Sequence, residues 1–176
     1  MTTHRIATTR RQVLLAGAGL VGTLGMPGLV RAQAAAVKVG VLQPLTGALA
    51  QDGQAGQLGA ELAIKAVNAA GGIKSLGGAK LEAVMGDARS TPEGGTAEVE
   101  RLAAENVSAI VGGFASPICL AATQAASRYD LPYIVDVGVN DQIVSRGLKN
   151  TFRFAPGSSM VSGQAWFSRS RVKARR

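Results

Sequence analysis

Short apolar runs rich in β-branched residues alternate along this chain with longer runs that have apolar residues at helical spacing. The predicted strands are residues 37–42, 81–85, 109–113, 132–135 and 151–154. The predicted helices are residues 53–70, 92–106, 117–129 and 141–146, and a last one begins near residue 158. Because strands that alternate with helices form right-handed βαβ crossovers, we predict an α/β fold with a doubly wound open parallel sheet.

The chain is long enough for one lobe of this kind but not for two. Residues 35–165 contain the whole alternating pattern, and about 130 residues suffice for one α/β domain. The run at residues 109–113 is apolar throughout, as expected for a strand of a parallel sheet that is covered on both faces. We therefore assign residues 35–165 to a single lobe.

Positive charge is concentrated at the two ends of the chain. Of the 19 lysines and arginines, four lie in residues 1–34 and five in residues 166–176, and neither end contains an acidic residue. The lobe between them is nearly neutral, with ten basic and eleven acidic residues. Because nucleic-acid-binding domains spread basic residues over a folded face and add stacking aromatics, we do not expect nucleic acid as a partner.

The N-terminal segment, residues 1–34, resembles a twin-arginine export signal. Arg10 and Arg11 precede an apolar, glycine-rich run, and Ala-Gln-Ala at residues 32–34 forms a small-residue cleavage site. Val13 stands where such signals usually have phenylalanine. We expect cleavage after Ala34 and a periplasmic mature protein. An uncleaved membrane anchor is the alternative, which the glycines in the run disfavour.

The sequence offers few residues for catalysis or metal binding. His4 is the single histidine and Cys119 the single cysteine. A mature chain without histidine cannot form a Ser-His-Asp centre, a Cys-His centre or a histidine-based metal site. The G-x-G-x-x-G at residues 17–22 lacks the preceding strand and the following acidic residue of a dinucleotide site. We therefore predict no enzyme, no metal and no cofactor, and we interpret Cys119 as a small buried apolar side chain.

Loops that contain glycine and hydroxyl residues follow the predicted strands. These loops are residues 43–53, 86–92, 113–116 and 136–140. In an open parallel sheet, ligands bind beyond the carboxyl ends of the strands, where the strand order reverses. The helix N-termini at this edge offer free backbone N–H groups, which favour an anion such as a carboxylate. We expect the binding site there.

Motifs in these loops, taken in order, resemble those of a known family. They are Val-Gly-Val-Leu-Gln-Pro-Leu-Thr-Gly at residues 39–47, Asp87 with Pro92, Gly-Gly-Phe-Ala-Ser at residues 112–116, and Thr-Phe-Arg at residues 151–153. The set is similar to type I periplasmic solute-binding proteins, the branched-chain amino acid (Liv) receptors of ABC transporters. The resemblance implies a small-molecule solute, either an amino acid or a small carboxylate or amide, and ABC permease components as partners.

The resemblance also implies ligand-binding residues. Ser116, with Ala115 before it, is expected to hold the ligand together with the loop after the fourth strand, which contributes Gly138 through its backbone and Val139. Receptors for amino acids usually have threonine at the position of Val139, which favours a ligand other than an ordinary amino acid. Asp52 lies near the residue that contacts the ligand side chain in this family.

Structural roles are the alternative for several of these residues. Ser116 would then only cap its helix, Asp52 would be a solvated loop charge, and Asp87 would cap or shape the loop that follows it. Arg153, on the fifth predicted strand, is interpreted as facing the surface or a hinge.

The composition changes abruptly at residue 166, in the middle of the last predicted helix. Residues 166–176 contain five basic residues, and few apolar residues fall at helical spacing there. We interpret this tail as truncated or out-of-frame reading. Receptors of this family have two lobes, so the chain would carry half a cleft. Because pockets usually bury most of a ligand, we expect the chain alone to bind a solute weakly or undetectably.

Two other classes of function remain as alternatives. A single-lobe sensor or interaction protein would use the basic tail to bind anionic lipid or nucleic acid, with a steep dependence on salt. A small enzyme of flavodoxin-like fold would require a phosphate-binding loop or a catalytic dyad, and the sequence contains neither.

Overall fold

Five parallel strands form one open sheet in a computed structural model of the chain, which describes residues 35–162. The strands are β1 (Val37–Gln43), β2 (Leu81–Asp87), β3 (Ala109–Gly112), β4 (Tyr133–Val135) and β5 (Thr151–Arg153). Their order in the sheet is β2-β1-β3-β4-β5, and every neighbouring pair is parallel. The predicted open parallel sheet is confirmed, while the predicted export signal and basic tail lie outside the described residues.

Helices connect the consecutive strands. They are α1 (Ala50–Ala69), α2 (Pro92–Ala104), α3 (Ser116–Ser127) and α4 (Gln142–Ser145), and a 3-10 turn (Lys74–Leu76) precedes β2. Residues 158–162 begin a further helix after β5. The predicted helices are confirmed, with ends that differ by a few residues. Within residues 35–162, no helix is long and apolar enough to cross a membrane.

Different helices cover the two faces of the sheet. Successive residues of a strand face opposite sides, so Leu42 and Gln43 of β1 belong to different faces. Leu42 packs in a buried core with Leu102 of α2 and residues of α3. On the Gln43 face lies α1, because a Cβ on Gly56 would be 2.8 Å from the Gln43 Nε2. The sheet is therefore wound on both faces, as predicted.

The α1 face of the sheet is less covered towards β5 than the face under α2 and α3. Ile134 of β4 and Phe152 of β5 are paired neighbours in one row across the sheet, and their exposed fractions are 41% and 54%. Tyr133 and Val135, which face the other side, are fully buried. The main hydrophobic core therefore lies between the sheet and the pair α2 and α3.

The start of α2 shows how local sequence fixes one helix. Thr91 precedes the helix, and its Oγ1 accepts a hydrogen bond from the Gly94 N–H at 3.0 Å. Pro92 occupies the first turn, where its missing N–H costs nothing. The predicted cap is confirmed. Gly94 is required there, because a Cβ would lie 2.3 Å from the carbonyl oxygen of Ala88.

The strand order reverses between β1 and β3, which places a crevice at their carboxyl ends. From β1 the chain crosses to β2 on one side, and it then returns to β3 on the other side of β1. Gly112 ends β3 with a φ of +132°, and a Cβ there would lie 2.1 Å from the carbonyl oxygen of Leu42. The absence of a side chain lets the two strands stay paired up to the crevice.

The described core predicts that two leucines differ in their contribution to stability. Replacing the buried Leu102 with alanine leaves a cavity, so L102A should lower the free energy of unfolding by about 2–5 kcal/mol. Leu58 on α1 is 57% exposed, so L58A should change the free energy of unfolding by about 0.5 kcal/mol or less. Urea denaturation of the full chain measures both, and equal losses would contradict the described core.

Candidate functional site

The candidate site lies at the carboxyl edge of the sheet, where β1 and β3 part. Residues 113–115 lead from β3 into α3, and residues 136–141 follow β4 beside them. The two loops are joined directly, since the Gly138 N–H donates to the Gly113 carbonyl oxygen at 3.0 Å. The N-terminus of α3 is therefore bordered by backbone from the next strand along the sheet.

Ser116 is the first residue of α3, and its hydroxyl contacts the neighbouring loop. The N-cap position belongs to Ala115, and no side chain caps the helix. The predicted capping role of Ser116 is therefore wrong, because the residue is already inside the helix. Its Oγ instead accepts a hydrogen bond from the Asn140 N–H at 3.2 Å. A hydroxyl that accepts on one side can donate its hydrogen to a further acceptor.

The N-terminus of α3 favours a negative charge. This helix has twelve residues and no acidic residue in its first turn. Ala115, half-buried, is extended, with φ −87° and ψ 132°, and its carbonyl oxygen accepts from the Cys119 N–H at 3.0 Å. The first N–H groups of a helix lack partners within the helix, and they carry the positive end of its dipole. Ala115 and Ser116 thus border a position suited to an anion.

Gly138 and Val139 contribute to the site in different ways. Gly138 is buried, and a Cβ on it would lie 2.6 Å from the Cys119 Sγ. Its N–H is bonded to Gly113, which leaves its carbonyl oxygen as the backbone group for a ligand. Val139 is 43% exposed, and its carbonyl oxygen accepts from the Ser158 N–H at 2.8 Å. The isopropyl group is therefore what Val139 presents at the surface.

Cys119 lies under the two loops and not in contact with solvent. It is fully buried, as predicted, and it packs where side chains on Gly113 and Gly138 would otherwise lie. Burial raises the pKa of the Cys119 thiol to about 12, with a further contribution from the nearby charge of Asp136. The thiol therefore stays protonated near neutral pH, and it is a packing group and not a nucleophile.

Asp52 lies at the rim of the same edge. It is exposed in the first turn of α1, where a carboxylate complements the helix dipole. Within the described part of the chain, no hydrogen bond or ion pair joins its carboxylate to Ser116, Gly138 or Val139. The structure thus places Asp52 on the loop side of the crevice but does not bring it into the cluster around Ser116.

Asp87 fixes the loop that follows β1. Its Oδ1 accepts from the N–H groups of Leu45 at 2.8 Å, Thr46 at 3.2 Å and Arg89 at 2.8 Å. Its Oδ2 accepts from the Thr46 hydroxyl at 2.7 Å. Burial acts to raise the pKa of the Asp87 carboxyl, but the hydrogen bonds from Thr46, Arg89 and Leu45 outweigh it, and the pKa lies below its usual value. The predicted loop-shaping role is confirmed and extends to the neighbouring loop.

A buried amide, which was not predicted from the sequence, links β1 to the loop after β4. Gln43 is 2% exposed, and its Nε2 donates to the Asp136 Oδ2 at 2.6 Å. The other oxygen of Asp136 accepts from the Val137 N–H at 2.8 Å. The available signal was a polar residue directly after the apolar run Val-Gly-Val-Leu at residues 39–42. Its partner is 93 positions away, which strand periodicity does not reveal.

The described part of the site offers hydrogen-bond donors and acceptors. Residues 35–162 contain no group of three or more His, Cys, Asp or Glu side chains placed to hold a metal ion. What the crevice presents is the hydroxyl of Ser116, the N-terminus of α3, the carbonyl oxygen of Gly138 and the apolar side chain of Val139. This arrangement suits reversible recognition of a small molecule with an anionic end.

Comparisons with known proteins identify relatives of the lobe. "Leu/Ile/Val-binding protein homolog 7" of Brucella melitensis is 38% identical over 121 residues, which are 68% of this chain and 29% of that protein. The branched-chain amino acid transporter substrate-binding protein LivJ of Streptococcus pneumoniae, solved with isoleucine, is similar at TM-score 0.65 and 31% identity. That match covers 69% of this chain and 34% of LivJ. The chain thus spans about a third of the length of these relatives.

A second solved structure resembles the lobe and holds an aromatic acid. The solute-binding protein of an ABC transporter from R. palustris, in complex with 4-hydroxybenzoate, aligns at TM-score 0.58 and 26% identity, over 69% of this chain and 32% of that one. A family model described as "Periplasmic binding protein" matches residues 36–172. With most of its length matched by that model, the chain belongs to the periplasmic binding protein family.

Proposed function

We propose that this chain forms the N-terminal lobe of a substrate-binding protein of an ABC importer, for a branched-chain amino acid or a related small carboxylate or amide. The observation that carries the proposal is the N-terminus of α3, where the Ser116 hydroxyl is oriented by the Asn140 N–H. Two of the structural relatives hold isoleucine and 4-hydroxybenzoate, and each of these ligands has a carboxylate. A carboxylate is the group that a helix N-terminus and a donating hydroxyl favour.

In this proposal each residue has a distinct role. The ligand carboxylate accepts from the Ser116 hydroxyl and from N–H groups in the first turn of α3, next to Ala115. The carbonyl oxygen of Gly138 accepts from an ammonium or amide N–H, if the ligand has one. The side chain of Val139 contacts apolar ligand atoms and has no hydroxyl to offer an ammonium group. Asp52 at the rim interacts with a polar or cationic end of the ligand.

The proposal includes the organisation of the chain and its partners. Residues 1–34 are an export signal cleaved after Ala34, residues 35–165 are the lobe, and residues 166–176 are a basic tail outside it. The mature protein is periplasmic and delivers its solute to ABC permease components in the inner membrane. Because the lobe forms one wall of a cleft, its affinity alone is low. It binds without chemistry, in keeping with a protonated, buried Cys119 thiol.

The loop after β1 borders the crevice on the β1 side, and Asp87 keeps it in place. Ser90 assists from the same side, since its hydroxyl accepts from the Leu49 N–H at 3.0 Å and donates to the Thr46 carbonyl oxygen at 2.7 Å. A Cβ on Gly47 would lie 2.9 Å from the Ser90 Oγ, so the loop sits tightly on this residue. Loss of the Asp87 bonds would therefore loosen the loop on the β1 side of the crevice.

Ser116 provides the direct test of the proposed carboxylate site. In NMR titrations of the ¹⁵N-labelled chain with isoleucine or with 4-hydroxybenzoate, we expect shift changes at the amides of Ala115, Ser116 and Ile118 and of residues 138–140, since Pro117 has no N–H. We expect S116A to raise the dissociation constant about tenfold, the equivalent of one lost hydrogen bond to a charged group.

Ser127, at the other end of the same helix, is the matched control. Its hydroxyl donates to the Gln124 carbonyl oxygen at 2.8 Å, far along α3 from the crevice, so S127A should leave the titration unchanged. Shift changes that map away from the carboxyl edge, or that S116A leaves unaltered, would refute the proposed site. If neither ligand causes shift changes at the limit of its solubility, isoleucine and 4-hydroxybenzoate are not ligands of the isolated chain.

Asp87 gives a prediction that depends on pH. Because the folded-state pKa of Asp87 is lowered, its contribution to stability is present above the ordinary pKa of 3.8 and is lost as pH falls through the folded value. At pH 7, D87N should lower the free energy of unfolding by about 1–3 kcal/mol. The difference in the free energy of unfolding between D87N and the parent should become smaller below pH 3.8.

Urea denaturation at pH 7 and at low pH measures this difference. Asp130, exposed in a turn with a φ of +50°, is the matched control, because asparagine tolerates the same backbone conformation. D130N should show little change at either pH. A D87N deficit that stays constant with pH would show that the carboxylate charge is not what stabilises the loop.

A further inference from the structure

Arg153, at the end of β5, makes all of its side-chain hydrogen bonds to the loop after β4. Its side chain is 9% exposed, so the interpretation that it faces the surface is wrong, while the alternative that it faces a hinge stays a prediction. Its Nη1 donates to the carbonyl oxygens of Val139 at 3.1 Å and Asn140 at 2.9 Å, and its Nη2 donates to the Asp141 Oδ1 at 3.3 Å. One guanidinium thus binds three consecutive residues of the loop that borders Ser116.

Asp141 joins the same loop to the segment that follows β5. Its Oδ2 accepts from the Ser158 hydroxyl at 3.0 Å and from the Ser159 N–H at 2.9 Å. The backbone N–H of Ser159 is the main reason that the pKa of the Asp141 carboxyl is lowered, with smaller effects from Ser158 and Arg153. The carboxylate therefore caps the helix that begins at residue 158 from outside that helix.

Gly157 is packed against this ion pair without room for a side chain. A Cβ on it would lie 2.0 Å from the Asp141 Oδ1 and 2.4 Å from the Arg153 Nη2. The segment at residues 157–159 is thus seated on the ion pair through a glycine, a hydroxyl and a backbone N–H. A change in the position of this segment has to move the Arg153 and Asp141 side chains.

The same contacts lead on to the proposed ligand site. The Val139 carbonyl oxygen accepts from Ser158 as well as from Arg153, and the next residue, Asn140, donates its N–H to the Ser116 Oγ. We propose that Arg153 and Asp141 are positioning residues that couple residues 157–159 to the Ser116 hydroxyl. The role of the Ser116 hydroxyl in ligand binding rests on the proposed function. The coupling of residues 157–159 to this hydroxyl does not depend on that function.

The physical reason is the cost of unsatisfied partners in a half-buried cluster. Loss of the guanidinium leaves the carbonyl oxygens of Val139 and Asn140 with fewer donors and leaves Asp141 without its cation. The loop then relaxes towards other donors, and the Asn140 N–H moves away from Ser116. The Ser116 hydroxyl loses its fixed orientation, although neither Arg153 nor Asp141 touches the ligand.

Amide hydrogen exchange of the ¹⁵N-labelled full chain tests the coupling without a ligand. The variants are R153Q, R153K, D141N and G157A, and S116A removes the acceptor of Asn140 and so sets the limit for a released N–H. We expect the exchange of the Asn140 N–H to be at least about tenfold faster in R153Q and G157A, approaching the rate in S116A. In R153K the rate should lie between those of the parent and R153Q, because lysine retains the charge and part of the donor set.

Two control variants separate this effect from general loosening. Gly59 has open space around it, so G59A tests the Gly-to-Ala change itself. R128Q removes an exposed arginine whose Nη1 lies 3.8 Å from the Glu100 Oε1. Both should leave Asn140 unchanged. In every variant the amides of β1 should exchange at the rates of the parent. A general loss of stability would accelerate these amides together with Asn140.

The exchange experiment and the ligand titration test two different claims. Unchanged exchange at Asn140 in R153Q and G157A, with acceleration in S116A, would overturn the coupling. Equal acceleration at Asn140 and in β1 would also overturn it, in favour of a merely structural role. If R153Q does not fold, the same comparison in D141N and G157A decides. A titration in which the ligands shift amides away from the carboxyl edge would count against the proposed function and would leave the exchange result intact.

Discussion

Parallel pairing of β1 with strands on both of its sides is the constraint on which the rest of this lobe depends. Parallel neighbours require crossovers over the faces of the sheet, and with β1 between β2 and β3 these crossovers fall on opposite faces. The helices that make them, α1 and α2, leave from the same edge in different directions. Since α3 follows β3 and packs in the same core as α2, the loops that lead into α1 and α3 part at this edge. The crevice between these two loops is therefore a consequence of topology, and it exists before any particular side chain is placed in it.

Hydrogen bonds then turn this crevice into a defined surface. Two of the loops at the edge are held by polar side chains from a neighbouring strand or its end. Asp87 holds the loop after β1, Gln43 reaches the loop after β4 through Asp136, and Arg153 binds that loop from the other side. Ser116 lies among loops that are fixed by these residues. Such prior ordering lowers the cost of binding, because less loop entropy is lost when a ligand arrives.

Much of the fold was predictable from sequence, because its signals are local. Period and composition located the strands and helices, the Thr91 cap was predicted correctly, and Cys119 was correctly predicted to be buried. The polar contacts of the site were not predictable in the same way. The bonds from Gln43 to Asp136 and from Asn140 to Ser116 join residues 93 and 24 positions apart, and Arg153 looked like a surface residue on a short edge strand. Only the register of the sheet brings these groups together.

The most direct measurement is a crystal structure of the chain grown or soaked with 4-hydroxybenzoate or isoleucine. We predict that the ligand carboxylate lies within hydrogen-bond distance of the Ser116 Oγ and of N–H groups in the first turn of α3. We also predict that the bonds from Asn140 to Ser116 and from Arg153 to the loop after β4 are retained. A carboxylate bound at another edge of the sheet, or a ligand at this edge that leaves the α3 N-terminus to solvent, would contradict the account.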